Sequence, residues 1–126
     1  MYIKEDGESN FYPVTSMLST FYGLNGLQEA PEIPSSVRDM CYSFYGCTNL
    51  TQAPKIPSNV TMMYCTFQNC TNLTGILEIN AETTFYDNCL RNAATAEGCA
   101  LELTGPNATV LNNILGTATG NVTIKQ

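Results

Sequence analysis

The chain contains no histidine and no tryptophan, and only five of its 126 residues are Lys or Arg. Without histidine, Ser-His and Cys-His nucleophile pairs and His-bound metal centres are excluded. The shortage of cations, set against 11 Asp and Glu and a net charge of −6, excludes nucleic acid as a partner, because that affinity comes from neutralising phosphates. An anionic membrane surface is disfavoured for the same reason. No run approaches the ~20 apolar residues a membrane helix needs, so no membrane insertion is expected. The opening MYIKEDGESN lacks the basic segment and apolar stretch of a signal peptide. Either the chain is cytosolic or it is a fragment of a longer exported protein. The fragment is the expectation, because the first ten residues read as an approach to a repeat array. It would give the chain an extracellular or cell-surface location as part of that longer protein.

Charged residues are scarce too, at 13%, while 44% of the chain is hydrophobic. That balance is globular, with Thr, Asn and Ser doing the solvating. The length allows one domain with a modest core.

An internal repeat organises most of it. Met17-x3-Phe21, Met40-x3-Phe44 and Met63-x3-Phe67 follow one another at 23 residues. Leu27, Leu50 and Leu73 keep step, as do Ile33, Ile56 and Ile79, and Val14, Val37 and Val60. Phe85-x3-Cys89 and Val110-x3-Ile114 read as degenerate versions. The division expected is an N-terminal lead-in at 1–13, regular repeats at 14–80 and divergent repeats at 81–126, all in a single domain. A period this short suits one strand and a compact return segment per repeat. Strands are predicted at 27–33, 50–56, 73–79, 99–104 and 121–124. Proline at 31, 34, 54 and 57 should leave the first two short and poorly paired. The Val, Met and Phe intervals between them predict a helical or 3₁₀ turn.

Phe-x-x-Cys-x-x-Leu, Ala-Pro-x-Ile-Pro-x-x-Val and Met-x-x-x-Phe together resemble the BspA-like leucine-rich-repeat surface proteins, regularly over residues 14–80. The resemblance implies an α/β-type, right-handed leucine-rich-repeat solenoid of about five coils. It also implies a bacterial cell-surface or secreted binding protein.

Six cysteines are present. Cys47 and Cys70 share a repeat position that Leu24 fills first, so they read as small buried apolar residues. Cys41 and Cys65 are one residue out of register and form a second candidate, a disulfide pair. Zinc is disfavoured without histidine or C-x-x-C, and no cofactor or metal is expected. Asn49 and Asn72 should bond to turn backbone and to each other down the stack. With Asn59, Asn69, Asn107 and Asn121 they also match the N-x-[ST] pattern, which in an Asn- and Thr-rich chain reads as composition.

One polar column is predicted on the strand face: Glu32, Lys55, Glu78, Glu102 and Thr123. Alternating charge at the first three would support register, and Glu78 beside Glu102 would pair two carboxylates. That pair could serve a cation, or carbohydrate or ester hydrolysis, but two solvated acids on an open face is the reading adopted. No enzyme activity is expected.

Tyr22 and Tyr45 share another position, with Tyr42, Tyr64 and Tyr86 nearby. They either cover the apolar flank or form an aromatic stripe for a protein or glycan partner. Gln28, Gln52, Thr51 and Thr74 provide a second polar surface. The last strand leaves an open edge, which invites a homodimer or a neighbouring domain. The function expected is thus a non-enzymatic binding or adhesion module contacting protein or glycan. Its rival is a structural spacer or terminal cap in a larger assembly such as a cell-surface or phage fibre.

Overall fold

The structure, a computed structural model, describes residues 2–4 and 11–125. Residues 1 and 5–10, most of the expected lead-in, lie outside the described residues. Among the described residues five strands and one helix occur, in the order β1 (Tyr2–Lys4), β2 (Phe11–Pro13), β3 (Gly75–Glu78), β4 (Leu101–Thr104), α1 (Ala108–Leu115) and β5 (Val122–Ile124). β1 and β2 pair antiparallel. β3, β4 and β5 form an open parallel sheet in that order.

This corrects the expected fold class. The chain is not a five-coil leucine-rich-repeat solenoid of alternating strands and helical returns. Among the described residues it has one helix and one three-stranded parallel sheet that does not close. Segments 27–33 and 50–56 form no strand. Their pairing is reduced to isolated bridges, Glu29 with Gln52 and Ile56 with Ile79, because proline supplies no N–H to a ladder.

The expected helical returns are absent for a different reason. Ser19, Tyr42, Cys65 and Asn88 sit at φ of 54°, 58°, 53° and 58°, and Gly23, Gly46, Asn69 and Asn92 also have positive φ. A left-handed residue every fourth position stops a right-handed helix from propagating. The N–H groups between them divide into two sets. Those of Thr20, Tyr22 and Leu24 close turns onto Met17, Ser19 and Phe21. Those of Met17, Ser19, Phe21 and Gly23 donate outward to Asp39, Cys41, Ser43 and Tyr45 at 2.7–3.0 Å. Met40, Tyr42, Phe44 and Gly46 do the same to Met62, Tyr64, Thr66 and Gln68, and Met63, Cys65, Phe67 and Asn69 to Phe85, Asp87, Cys89 and Arg91. Neighbouring 23-residue segments therefore lie side by side through alternate peptide groups, with neither a helix nor a regular sheet on this flank.

Like residues meet inside. The rings of Phe21, Phe44 and Phe67 stack at 5.2 and 5.5 Å, and Leu50, Leu73, Ile56, Val37, Val60, Met40 and Met63 are fully buried around them. Buried polar atoms are matched to carbonyls. Ser43 and Thr66 hydroxyls donate to Met17 and Met40 oxygens at 2.7 and 2.9 Å, and Cys47 and Cys70 thiols to Phe21 and Phe44 oxygens at 3.1 and 3.0 Å. Each bond satisfies a carbonyl that would otherwise be stranded away from water. The spacing stays at 23 past residue 80, which corrects the phrase read as Phe85-x3-Cys89. Phe85 bridges Met62, so Tyr86 takes the methionine position and Leu90 the phenylalanine position.

The far end is closed by α1. Asn107 caps it, its side-chain oxygen accepting from Thr109 and Val110 N–H at 3.0 and 3.2 Å, and Val110, Leu111 and Ile114 are buried. Gly105 admits the chain here, since a Cβ would collide with the Ile79 carbonyl oxygen. The Thr117 and Thr119 hydroxyls then accept the Leu90 and Asn92 N–H groups at 3.0 and 2.9 Å, in place of a further row of carbonyls.

Candidate functional site

The left-handed turn at Tyr42 and the turn at Tyr22 throw aromatic side chains outward on the irregular flank. Tyr22 and Tyr45 stack in parallel, centroids 4.8 Å apart and planes 8° apart. Tyr42 tilts against both, at 6.4 and 5.7 Å. Tyr22 is 52% and Tyr42 38% exposed, and Tyr45 is half-buried. Beyond them Tyr64 meets Phe85 at 5.7 Å. The flank is therefore a packed aromatic layer whose outer faces are in water.

Tyr42 titrates above the ordinary tyrosine range, chiefly because its hydroxyl interacts with the Cys65 side chain. Cys41 is pushed up to about 11, first by burial and then by the Asp39 carboxylate. Cys41 and Cys65 both carry free thiols, as do the other four cysteines, so the candidate disulfide is not formed. Burial raises Cys47 and Cys70 also, and brings Cys89 to about 12. Cys41, Cys47, Cys70 and Cys89 therefore stay protonated at neutral pH, and the protonated form is neither nucleophile nor metal ligand. No group of three or more Cys, Asp or Glu among the described residues is placed to hold a metal.

The polar column is broken by register. β3 and β4 pair Ile76 with Glu102 and Glu78 with Thr104, so Glu78 and Glu102 are not opposed. Glu102 lies instead between Ile76 and Thr123. The break arises because the insertion after Asn92 shifts the repeat before β4. Glu78 accepts from Asn80 Nδ2 at 2.8 Å. Glu32 and Lys55 are exposed and line a groove of about 600 Å³ with Pro31, Pro54, Pro57 and Asn80. The structure does not bring the five members together, and the hydrolase reading loses its acid pair.

The remaining predicted residues fall as follows. Leu50, Leu73, Ile33, Ile56, Ile79, Cys47 and Cys70 are buried and Leu27 is half-buried. Asn49 and Asn72 donate to the Asn25 and Thr48 carbonyls at 2.6 and 2.7 Å rather than to each other. Asn59 and Asn121 donate in the same way to Ser35 and Cys99 at 2.8 Å. Four N-x-[ST] asparagines therefore hold neighbouring segments together. Gln52 is exposed beside Glu29. β5 is an edge strand of three residues. No described helix is long and apolar enough to cross a membrane.

Sequence reasoning did not single out Leu18 and placed Leu24 and Phe85 at apolar repeat positions, yet they are 55%, 48% and 46% exposed. The signal for Phe85 was available in strict 23-residue counting. For Leu24 none was, because an end repeat has the same pattern as an inner one.

No family model, curated protein or solved structure matches the chain.

Proposed function

We propose that the chain is a non-enzymatic binding module whose tyrosine flank engages a protein or glycan ligand. The observation that carries this reading is the pre-stacked, half-exposed cluster of Tyr22, Tyr42 and Tyr45. Tyrosine offers a large apolar body with a polar tip, and rings already packed together lose little freedom on binding. Protonated thiols and separated carboxylates favour recognition over covalent chemistry. The resemblance of the repeat phrases to BspA-like surface proteins supports placing the module on a cell surface, within a longer protein.

Glycan and protein arrays probed at micromolar concentration test it. Ligands bound by the wild type should lose at least tenfold in affinity with the Tyr22→Ala/Tyr45→Ala double variant, at an unchanged circular dichroism spectrum. An intact chain that binds nothing, or ligands indifferent to both substitutions, would reject the proposal.

A second reading, a spacer or terminal cap within a larger assembly, is favoured by the uncovered apolar interior of the first repeat. Under it the tyrosine substitutions change no partner interaction.

A further inference from the structure

The interior that is closed in the later repeats is cut open at the first. Position 24 corresponds to Cys47, Cys70 and Ala93, all fully buried, yet Leu24 is 48% exposed. Phe21 and Leu27 are half-buried, whereas their counterparts Phe44, Phe67, Leu50 and Leu73 are fully buried. Phe21 rests on Phe44 at 5.2 Å, and among the described residues no second ring stacks on it. The backbone tells the same story. In each later repeat four alternate carbonyls accept from the preceding repeat: Asp39, Cys41, Ser43 and Tyr45 in the second, Met62, Tyr64, Thr66 and Gln68 in the third. Their equivalents in the first are Ser16, Leu18, Thr20 and Tyr22. Among the described residues, none of these four carbonyls accepts a backbone hydrogen bond.

We infer that this face is a docking site for a polypeptide segment carrying the same 23-residue repeat. The chain already makes this interface three times, between the first and second, second and third, and third and fourth repeats. A further segment would bring four N–H groups at alternate positions, an aromatic ring for Phe21 and a small apolar residue over Leu24. Hydrogen-bond polarity excludes the simpler occupant. Two copies meeting face to face would set carbonyl rows against each other, and acceptors do not pair with acceptors. A copy approaching with its other end presents Leu90 and Asn92 N–H groups already bonded to Thr117 and Thr119, with α1 alongside. The occupant is therefore a repeat segment with free donors. Of the tyrosine flank, only the Tyr22 backbone carbonyl belongs to this face.

The probe is a synthetic peptide of residues 37–59 under reducing conditions, titrated into the full chain and followed by NMR. Saturable 1:1 shifts at the Leu18, Leu24 and Leu27 methyls are expected, with slowed amide exchange in the peptide. Leu24→Lys in the chain should weaken binding at least tenfold. Tyr42→Ala should leave it unchanged, which separates this face from the flank. A shuffled peptide should not bind. The inference is overturned if the folded chain shows no saturable shift up to millimolar peptide, or if the shuffled peptide binds equally. Self-association of the chain with shifts at the same methyls overturns it too, in favour of a second copy.

Discussion

Replacing Phe44 with alanine is the sharpest probe of the interior. The ring is fully buried and lies between Phe21 at 5.2 Å and Phe67 at 5.5 Å, nearly parallel to both at 15° and 4°. Truncating a buried phenylalanine costs about 3–5 kcal/mol, and losing two aromatic neighbours places this site toward the upper end. Among the described residues Phe21 has one such neighbour and is only half-buried, so Phe21→Ala should cost about 1–2 kcal/mol. With unfolding entropy of about 2.1 cal/mol/K per residue, a loss of about 4 kcal/mol lowers Tm by roughly 15 °C in a chain of this size. Urea denaturation of both variants, with slopes compared to verify a common unfolded state, reads the difference directly. If Phe44→Ala costs no more than Phe21→Ala, the stacked interior and its open first end are both wrong.

Alkaline pH should unfold the chain through its buried thiols. Cys89 is raised from an ordinary value of 9.0 to about 12 and Cys70 is raised further, both mainly by burial. Below pH 9 both states hold the proton and stability is complete. Above it the unfolded thiol ionises while the folded one does not, removing about 1.4 kcal/mol per pH unit for each thiol. The urea midpoint should fall between pH 8.5 and 10.5, and less steeply in Cys89→Ala; a flat midpoint contradicts this. Gly105→Ala should destabilise by about 2–3 kcal/mol, because the new methyl meets the Ile79 carbonyl. Gly98→Ala, with φ of +84° but open space, should cost only about 1 kcal/mol; thermal melts showing the reverse order would refute the close approach. Asn107→Ala should lose about 1 kcal/mol and Asn107→Asp almost none, since the cap needs only the acceptor oxygen. Equal losses would deny the cap.

The buried residues were largely legible. Recurrence at 23 residues picks out Leu50, Leu73, Ile56, Ile79, Cys47 and Cys70 because side chains stacked in one interior must match in polarity. The prolines likewise explain why residues 27–33 and 50–56 do not become strands. The flank opposite was misread. Met-x3-Phe spacing fits a helical turn as well as a chain of left-handed turns, and Tyr42, Cys65 and Asn88 do not announce a positive φ as glycine does. The carboxylate column failed because Glu102 was matched to Glu78 by motif, whereas the insertion after Asn92 shifts the register so that Glu78 faces Thr104 and Glu102 faces Ile76.

The periodic sequence by itself determined which side chains are apolar neighbours, since composition and interval alone decide what can be buried together. Only the tertiary structure decided the rest. It left Leu24 in water while its counterparts are sealed, turned three tyrosines into one stacked layer, and set Glu102 against Ile76. Each depends on what lies across a gap from a residue, and local pattern carries no record of that.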